Sequence, residues 1–187
     1  SFLENTFMQV SRIRALRGPN LWSRHTAIEA IVSCSPEDYG LSAQHPVEQQ
    51  LRRIFPAVGP FDGQRPGEAV SLAHALEKVT LSLQAHAGCP VSFSRTTPTE
   101  EPGVFQVVVQ YTEEAVGRLA LNLAEQLCQA ATAGAGFDLE GAIAQLHELD
   151  EDVRLGPSTG AIVDAAVARG IPIRRLTDGS LVQFGWG

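Results

Sequence analysis

The sequence contains few cysteines and none of the cysteine spacings that build metal clusters. Its 187 residues include three cysteines, Cys34, Cys89 and Cys128, and no Cys-x-x-Cys pair. An odd number of widely spaced cysteines gives no basis for a disulfide framework. We therefore expect reduced thiols and a cytoplasmic protein, because structural disulfides are characteristic of oxidising compartments.

Other absences narrow the function further. The formal net charge is −7, whereas nucleic acids and anionic membranes favour a basic partner surface. No apolar run approaches the ~20 residues of a membrane span, and the first residues lack the order of a signal peptide. The chain also lacks a Gly-x-x-x-x-Gly-Lys-Ser/Thr phosphate loop and a carboxylate cluster suited to nucleotide-bound Mg²⁺. We expect a soluble domain that binds no nucleic acid, membrane or nucleotide.

The pattern that remains predicts an α+β fold. An apolar content of 44% over this length suits one well-cored domain. Strand patterns occur at residues 9–17, 25–34, 89–97, 103–111, 171–176 and 180–185. For 25–34 a helix is the alternative, because the apolar residues there also fit helical spacing. Apolar stripes with start signals predict helices that begin at Pro46, at Thr112, at Asp138 and at Ser158 or Thr159. A further stripe predicts a helix that contains residues 72–83. Intermixed elements indicate an antiparallel or mixed sheet packed with helices, in which 103–111 is central.

The helix that contains Leu72 has one face predicted to belong to the core. Its apolar residues recur at intervals of four, three and four positions, which makes a single stripe along the helix. The stripe consists of Leu72, Leu76, Val79 and Leu83, and Gly88 is expected to end the helix.

A second face of the same helix suggests chemistry. His74, Glu77 and Lys78 lie within one helical turn of each other. A His-x-x-Glu-His helix supplies two imidazoles to a divalent cation and a carboxylate to its bound water. Lys78 replaces the second imidazole here, and a protonated amine has no lone pair for a metal. The residues therefore predict either an incomplete hydrolase site or an ordinary helix, with His74 partly buried and Glu77 and Lys78 exposed.

Four stretches together resemble one known family. They are SRIRALRGPNLWS from Ser11, LSLQAHAGCPVSFSRT from Leu81, VVVQYTEEAVGRLA from Val107, and DEDVRLGPSTGAIVDAAVARGIPIRRLTDGSLVQFGWG from Asp150. In this order they resemble the N-terminal region of the cyanophycin synthetases, in a β-proteobacterial-like variant. The resemblance covers nearly the whole chain after Met8.

The resemblance implies a domain organisation and a set of partners. Members of this family are ATP-dependent ligases that build the nitrogen-storage polymer cyanophycin, multi-L-arginyl-poly-L-aspartate, with ATP-grasp and Mur-ligase-like domains. Residues 9–152 would form the N-terminal domain, after an extension or expression remnant at 1–8, and 153–187 would lead into a missing ATP-grasp domain. ATP and Mg²⁺ would serve the parent enzyme, whereas this chain would hold no cofactor and ligate nothing alone. Its partners would be the polymer, its own ATP-grasp domain and further copies of the parent.

Candidate site residues also follow from the resemblance. Some family members resemble metallohydrolases in this domain, and there His74 would be a ligand, Glu77 the base, and Glu113 or Glu114 the distant carboxylate. Lys78 makes that site degenerate, so we expect no metal. The candidates to grip the polymer are Arg17, Arg95, Arg118 and Trp22, the last with a core role as its alternative.

Three functions remain open from the sequence. The first is a polymer-binding domain that holds cyanophycin near the ligase sites. The second is a metal-dependent cyanophycin hydrolase that makes primers. The third is a scaffold for the ATP-grasp domain and for oligomer contacts.

Overall fold

The structure, a computed structural model, describes residues 8–19, 25–35, 40–41, 44–59, 61, 69–168, 173–175 and 182–184, with side chains as far as Leu155. The strands in these ranges are β1 (Gln9–Leu16), β2 (Ala27–Ser33), β3 (Ser94–Pro98), β4 (Val104–Gln110), β5 (Ile173–Arg175) and β6 (Val182–Phe184). The helices are α1 (Pro46–Ile54), α2 (Leu72–His86), α3 (Glu114–Thr132) and α4 (Leu139–Ala168). The predicted α+β class is confirmed. None of the described helices is long and apolar enough to cross a membrane.

A division between Leu146 and His147 separates the chain into two compact units. The first unit contains a four-stranded sheet in the order β1-β2-β4-β3, and every neighbouring pair of strands is antiparallel. β4 is therefore an interior strand, as its valine-rich sequence predicts. The second unit contains the antiparallel pair of β5 and β6, which confirms both predicted strands. The proposed boundary between residues 152 and 153 stays a prediction.

The two faces of the sheet differ in chemistry. One face carries Ile28, Val109 and Val107, all buried, and helices α2 and α3 pack on this side. The opposite face, which we call the polar face, carries mainly polar side chains at the alternate positions of the register. Its members include Ser11, Arg14, Glu29, Ser33, Arg95, Thr97, Gln106 and Gln110. This alternation is the usual pattern of an antiparallel sheet that is covered on one side.

Helix α3 approaches the sheet closely because it contains a glycine at the contact. A Cβ atom placed on Gly117 would lie 2.7 Å from Cβ of Tyr111 and 3.1 Å from the side chain of Ile28. The first of these distances is shorter than two carbon atoms tolerate without displacement. A side chain at position 117 would therefore push α3 away from β2.

The core stripe of α2 is confirmed. Leu72, Leu76, Val79 and Leu83 are all at most 1% exposed. The second face of this helix is buried as well, since His74 and Glu77 are each 1% exposed. The expectation of an exposed Glu77 was therefore wrong, because strand β3 covers that side of the helix.

Two predicted helix boundaries were also wrong. Glu113, not Thr112, is the N-cap of α3, since the hydrogen bond from the Tyr111 amide to the Thr26 carbonyl extends the strand conformation past β4. Helix α4 runs unbroken through Pro157, so Ser158 and Thr159 lie inside a helix and not at the start of one. Proline lacks the amide hydrogen that a helix interior uses, yet the helical backbone continues on both sides of Pro157. The predicted cap at the start of α4 is confirmed, because Oδ1 of Asp138 accepts the Gly141 amide at 3.0 Å.

Candidate functional site

His74 is part of the N-terminal cap of α2. Its Nδ1 accepts the backbone amide of Ser71 at 3.1 Å and lies 3.0 Å from the Ser71 hydroxyl. An imidazole that accepts at Nδ1 carries its proton on Nε2 when neutral. The ring also meets the edge of Phe105, with the two centroids 5.7 Å apart. The sequence-predicted metal ligand therefore closes a capping box at a buried helix end.

Glu77 is bound on both of its oxygens by hydroxyl groups of β3. Ser94 donates to Oε1 and Thr96 donates to Oε2, each at 2.7 Å. Nζ of Lys78 lies 3.8 Å from Oε1, while the Lys78 side chain is 42% exposed. Short hydrogen bonds to an ionised carboxylate are among the stronger polar contacts in proteins. Glu77 thus fastens the edge strand of the sheet to α2.

This arrangement differs from that of a working metallohydrolase base. Such a base has to orient a metal-bound water, whereas the two oxygens of Glu77 accept hydrogen bonds from the hydroxyls of Ser94 and Thr96. Throughout the described ranges there is no group of three or more His, Cys, Asp and Glu side chains that could hold a metal ion. Ser94 and Thr96 were not predicted from the sequence as partners of Glu77, although their two-residue spacing places them on one face of a strand.

Glu113 and Glu114 follow β4 at the end opposite to the one that His74 contacts. His74 contacts Phe105 near the start of β4, and Glu113 comes three residues after β4 ends at Gln110. Five residues of strand at ~3.4 Å each separate Phe105 from Gln110 by about 17 Å. The His74 imidazole is therefore far from both glutamates, and among the described residues no metal-holding group of side chains joins them to Glu77.

Glu114 instead brings together two of the predicted polymer-binding arginines. Arg17 and Arg118 each place a guanidinium nitrogen 3.6 Å from a Glu114 carboxylate oxygen, and all three side chains are at least 38% exposed. The neighbouring Tyr111 is buried, which raises the pKa of its phenol; Glu114 adds to the rise and Arg17 opposes it. Exposed pairs of this kind contribute little to stability, so these guanidinium groups exchange readily with other anions.

An ion pair between Arg14 and Glu29 lies on the polar face, and it was not predicted from the sequence. Arg14 donates through Nε at 2.7 Å and through Nη2 at 3.1 Å to the two oxygens of Glu29, and Gln106 donates to the same carboxylate at 2.9 Å. The side chain of Glu29 is 5% exposed, whereas that of Arg14 is 62% exposed. The hydrogen bond to Glu29 and the charge of that carboxylate raise the pKa of the Arg14 guanidinium. Cross-strand spacing would have found the pair only once the β1–β2 register was known.

The remaining candidates fall at other positions. Arg95 is exposed in β3 and shares the polar face with Glu29 through Val108, which pairs with both residues. Trp22 lies outside the described residues. The polymer-binding roles of Arg17, Arg95, Arg118 and Trp22 stay predictions.

An open cavity of about 480 Å³ occupies one end of the polar face. Arg12 contributes a cation to its wall, and Glu100 and Glu101 in the β3–β4 turn contribute two carboxylates. Ser11, Ser33 and Thr99 add hydroxyl groups. The cavity thus offers groups of both charge signs to a ligand.

Comparisons with known proteins identify the family of this domain. Residues 58–133 match the family described as "Cyanophycin synthase-like N-terminal domain". Over 96% of its length the chain is 35% identical to the cyanophycin synthetases of Trichormus variabilis and of a Nostoc species, and 34% identical to that of Geminocystis herdmanii. The chain belongs to the cyanophycin synthetase N-terminal domain family.

This member of the cyanophycin synthetase N-terminal domain family covers only part of the proteins that it matches. The chain spans 22% of the length of each of those relatives. The family prediction is confirmed, while the β-proteobacterial-like affinity within it stays a prediction. The matched region 58–133 contains all of α2, β3, β4 and α3, so it includes the Glu77 site and part of the polar face.

Proposed function

We propose that this chain is the polymer-binding domain of an ATP-dependent cyanophycin synthetase, an enzyme that extends poly-aspartate bearing arginine side groups. The observation that carries the proposal is the polar face, which combines exposed guanidinium groups with carboxylates. The family membership supports it, because the relatives are named for this polymer. The domain alone would form no amide bond.

The polymer presents charges of both signs, and so does the polar face. Each repeating unit has a guanidinium group and a carboxylate, and guanidinium–carboxylate pairs form two parallel hydrogen bonds. Arg14 and Glu29 form such a bidentate pair within the protein. Arg95 is exposed on the same face and would meet a polymer carboxylate. Arg17 and Arg118, paired only loosely with Glu114, would supply further polymer contacts away from the polar face.

Weak individual contacts are sufficient for this task. An exposed ion pair contributes about 0.2–1 kcal/mol. A polymer that repeats the same unit engages many such contacts, and once one unit is bound its neighbours have a high effective concentration. The domain would therefore hold a growing chain through several additions while individual units exchange quickly.

The rest of the proposed enzyme lies outside this chain. We propose that ATP and Mg²⁺ bind to an ATP-grasp domain of the same polypeptide, which would be a partner of this domain. We also propose that the parent enzyme is cytoplasmic and forms homo-oligomers, as inferred from the resemblance.

Metal-dependent hydrolysis is the weaker candidate for this chain. Glu77, which would have to act as the base, accepts hydrogen bonds from Ser94 and Thr96 on its two oxygens. Lys78 adds a positive charge 3.8 Å from that carboxylate, where a cation would be repelled. These contacts favour a structural role for the helix.

Retention on insoluble cyanophycin tests the proposal. We expect the protein to sediment with the polymer at low salt and to be released at 1 M salt, where the screening length is about 3 Å. Arg95→Gln should lower the retained fraction about two- to fivefold. Arg53→Gln, which removes one exposed arginine from α1, is the matched control and should bind as the parent does. A protein that stays in the supernatant at low salt would contradict polymer binding.

A further inference from the structure

We propose that the cavity at the end of the polar face is a subsite for one arginine-bearing unit of the polymer. In this subsite Glu100 and Glu101 bind the guanidinium group and Arg12 binds the carboxylate of the same arginine. The inference rests on the proposed function and adds to it a location and a polarity. It depends on the way in which the two walls of the cavity are built.

The first wall is formed by an irregularity in β1. The register between β1 and β2 shifts between Ser11 and Arg14, which is the mark of a β-bulge. Arg12 lies inside this bulge with φ of 49°, the only positive φ among the described residues other than glycine. A bulge re-aims the side chain of its extra residue. Here the exposed Arg12 lines the cavity instead of following the regular alternation of β1.

The second wall is the turn between β3 and β4. The Thr99 hydroxyl bridges this turn, since it accepts the Glu101 amide at 3.3 Å and donates to the Val104 carbonyl at 2.8 Å. The Val104 amide in turn donates to the Glu101 carbonyl at 3.2 Å. These bonds fix the backbone that carries Glu100 and Glu101. Both carboxylates therefore line the cavity from a braced turn.

The floor and the size of the cavity suit a side chain of mixed character. Ile31 and Val104 supply apolar atoms beneath the charged walls. The methylene groups of an arginine side chain can lie on such a floor while its charged end remains hydrated. A volume of about 480 Å³ falls within the range of small-molecule sites. It therefore has room for one arginine together with the amide that joins it to aspartate.

The arrangement of charges selects the ligand class. Two neighbouring carboxylates favour a guanidinium group, which presents its donors in a planar fork. Arg12 favours a carboxylate. Each arginine of the polymer is joined to aspartate through its α-amino group, so its own α-carboxylate remains free to bind Arg12. A ligand with one guanidinium and one carboxylate satisfies all three side chains at once, whereas a simple cation or a simple anion satisfies only part of them.

The test uses a single unit of the polymer as the probe, aspartyl-arginine joined through the aspartate side chain. Its binding is measured by the displacement of backbone amide signals in nuclear magnetic resonance spectra. We expect titration to shift the amides of Arg12, Ser33, Glu100 and Glu101. The corresponding aspartyl-citrulline, which has a neutral group in place of the guanidinium, should bind at least about fivefold more weakly.

Paired substitutions supply the matched control. Glu100→Gln/Glu101→Gln removes two exposed carboxylates and should weaken aspartyl-arginine binding about fivefold or more. Glu140→Gln/Glu148→Gln removes two exposed carboxylates from α4 and should leave the affinity within about twofold. An unchanged melting temperature for both variants verifies that the change lies in binding.

The outcomes separate this inference from the proposed function. If the polymer is retained but the two pairs of substitutions weaken aspartyl-arginine binding equally, or if the cavity amides do not shift, the subsite is wrong and polymer binding stands. If the polymer is not retained but aspartyl-arginine still shifts these amides selectively, the subsite stands and polymer anchoring is wrong. If neither is observed, both are overturned.

Discussion

Two buried glutamates in this domain have opposite surroundings. Glu77 is enclosed between α2 and β3 and accepts hydrogen bonds from the neutral hydroxyls of Ser94 and Thr96. Glu29 lies on the polar face and is bound by the guanidinium of Arg14, which is largely exposed. The first carboxylate connects two pieces of the fold, whereas the second holds a charged group at the surface. The comparison shows that burial alone does not identify a functional carboxylate, because the partners determine what it can do.

The largest expected effect on stability comes from removing the Glu77 carboxylate. Glu77→Ala leaves the hydroxyls of Ser94 and Thr96 without their acceptor inside the protein, and each hydrogen bond to a buried charge contributes about 1.5–3 kcal/mol. We expect the free energy of unfolding to fall by about 3–5 kcal/mol in urea titrations.

A triple substitution provides the control for this prediction. Glu77→Leu, Ser94→Ala and Thr96→Val together remove the acceptor and both donors, and a network replaced by apolar groups of similar shape costs little. The triple variant should therefore be more stable than Glu77→Ala. If both variants lose the same amount, the hydrogen bonds are not the source of the stability.

A smaller effect is expected on the polar face. Glu29→Ala removes the acceptor for Arg14 and Gln106, but the guanidinium of Arg14 can be rehydrated, so we expect a loss of about 1–2 kcal/mol. A double-mutant cycle with Arg14→Ala should yield a coupling of about 1 kcal/mol between the two side chains. A loss as large as that of Glu77→Ala would remove the distinction between the two sites.

A histidine at position 78 tests whether Lys78 is what prevents metal binding beside Glu77. Lys78→His recreates the His-x-x-Glu-His spacing at a half-exposed position, so stability should change by less than about 0.5 kcal/mol. We expect no zinc-dependent cleavage of cyanophycin, because Glu77 remains bound to Ser94 and Thr96. Stoichiometric zinc by elemental analysis, together with shortened polymer, would instead show that Lys78 alone disables a site that is otherwise intact.

The smallest effect concerns a carboxylate at neither site. Burial raises the pKa of Glu125 in α3, so its charged form is disfavoured in the folded protein. The protonated Glu125 carboxyl group therefore contributes stability at acidic pH, and this contribution is lost as the pH rises through the pKa of Glu125 in the folded protein. Glu125→Gln should therefore raise the unfolding free energy at pH 7 by less than about 0.5 kcal/mol. Thermal melts at pH 4 and pH 7 should show the gain only at pH 7, and a loss at pH 7 would contradict the sign.

The sequence predicted the elements with the clearest periodicity. The apolar stripe of α2, the interior position of β4 and the cap at Asp138 all follow from local patterns, and each is confirmed. Burial of Glu77 could not be predicted from its own helix, because it depends on how β3 pairs with β4. Proline usually ends helices, which is why the continuity of α4 through Pro157 was missed.

The polar face was harder to foresee than the helix. The contact between Arg14 and Glu29 requires the antiparallel register of β1 and β2, and the cavity requires a bulge at Arg12 that no local pattern marks. The hydrolase motif, in contrast, is visible in a few consecutive letters. A short motif therefore draws attention to Glu77, which is buried between α2 and β3, and away from the face that carries the charges.

The central claim is that the polar face binds polymer while the Glu77 site only maintains the fold. The direct test measures retention on insoluble cyanophycin and the length of the recovered polymer for the parent chain, Glu77→Gln and Arg95→Gln. We predict equal retention per folded molecule for the parent and Glu77→Gln, reduced retention for Arg95→Gln, and polymer of unchanged length in every case. Polymer shortened by the parent chain but not by Glu77→Gln would contradict the account.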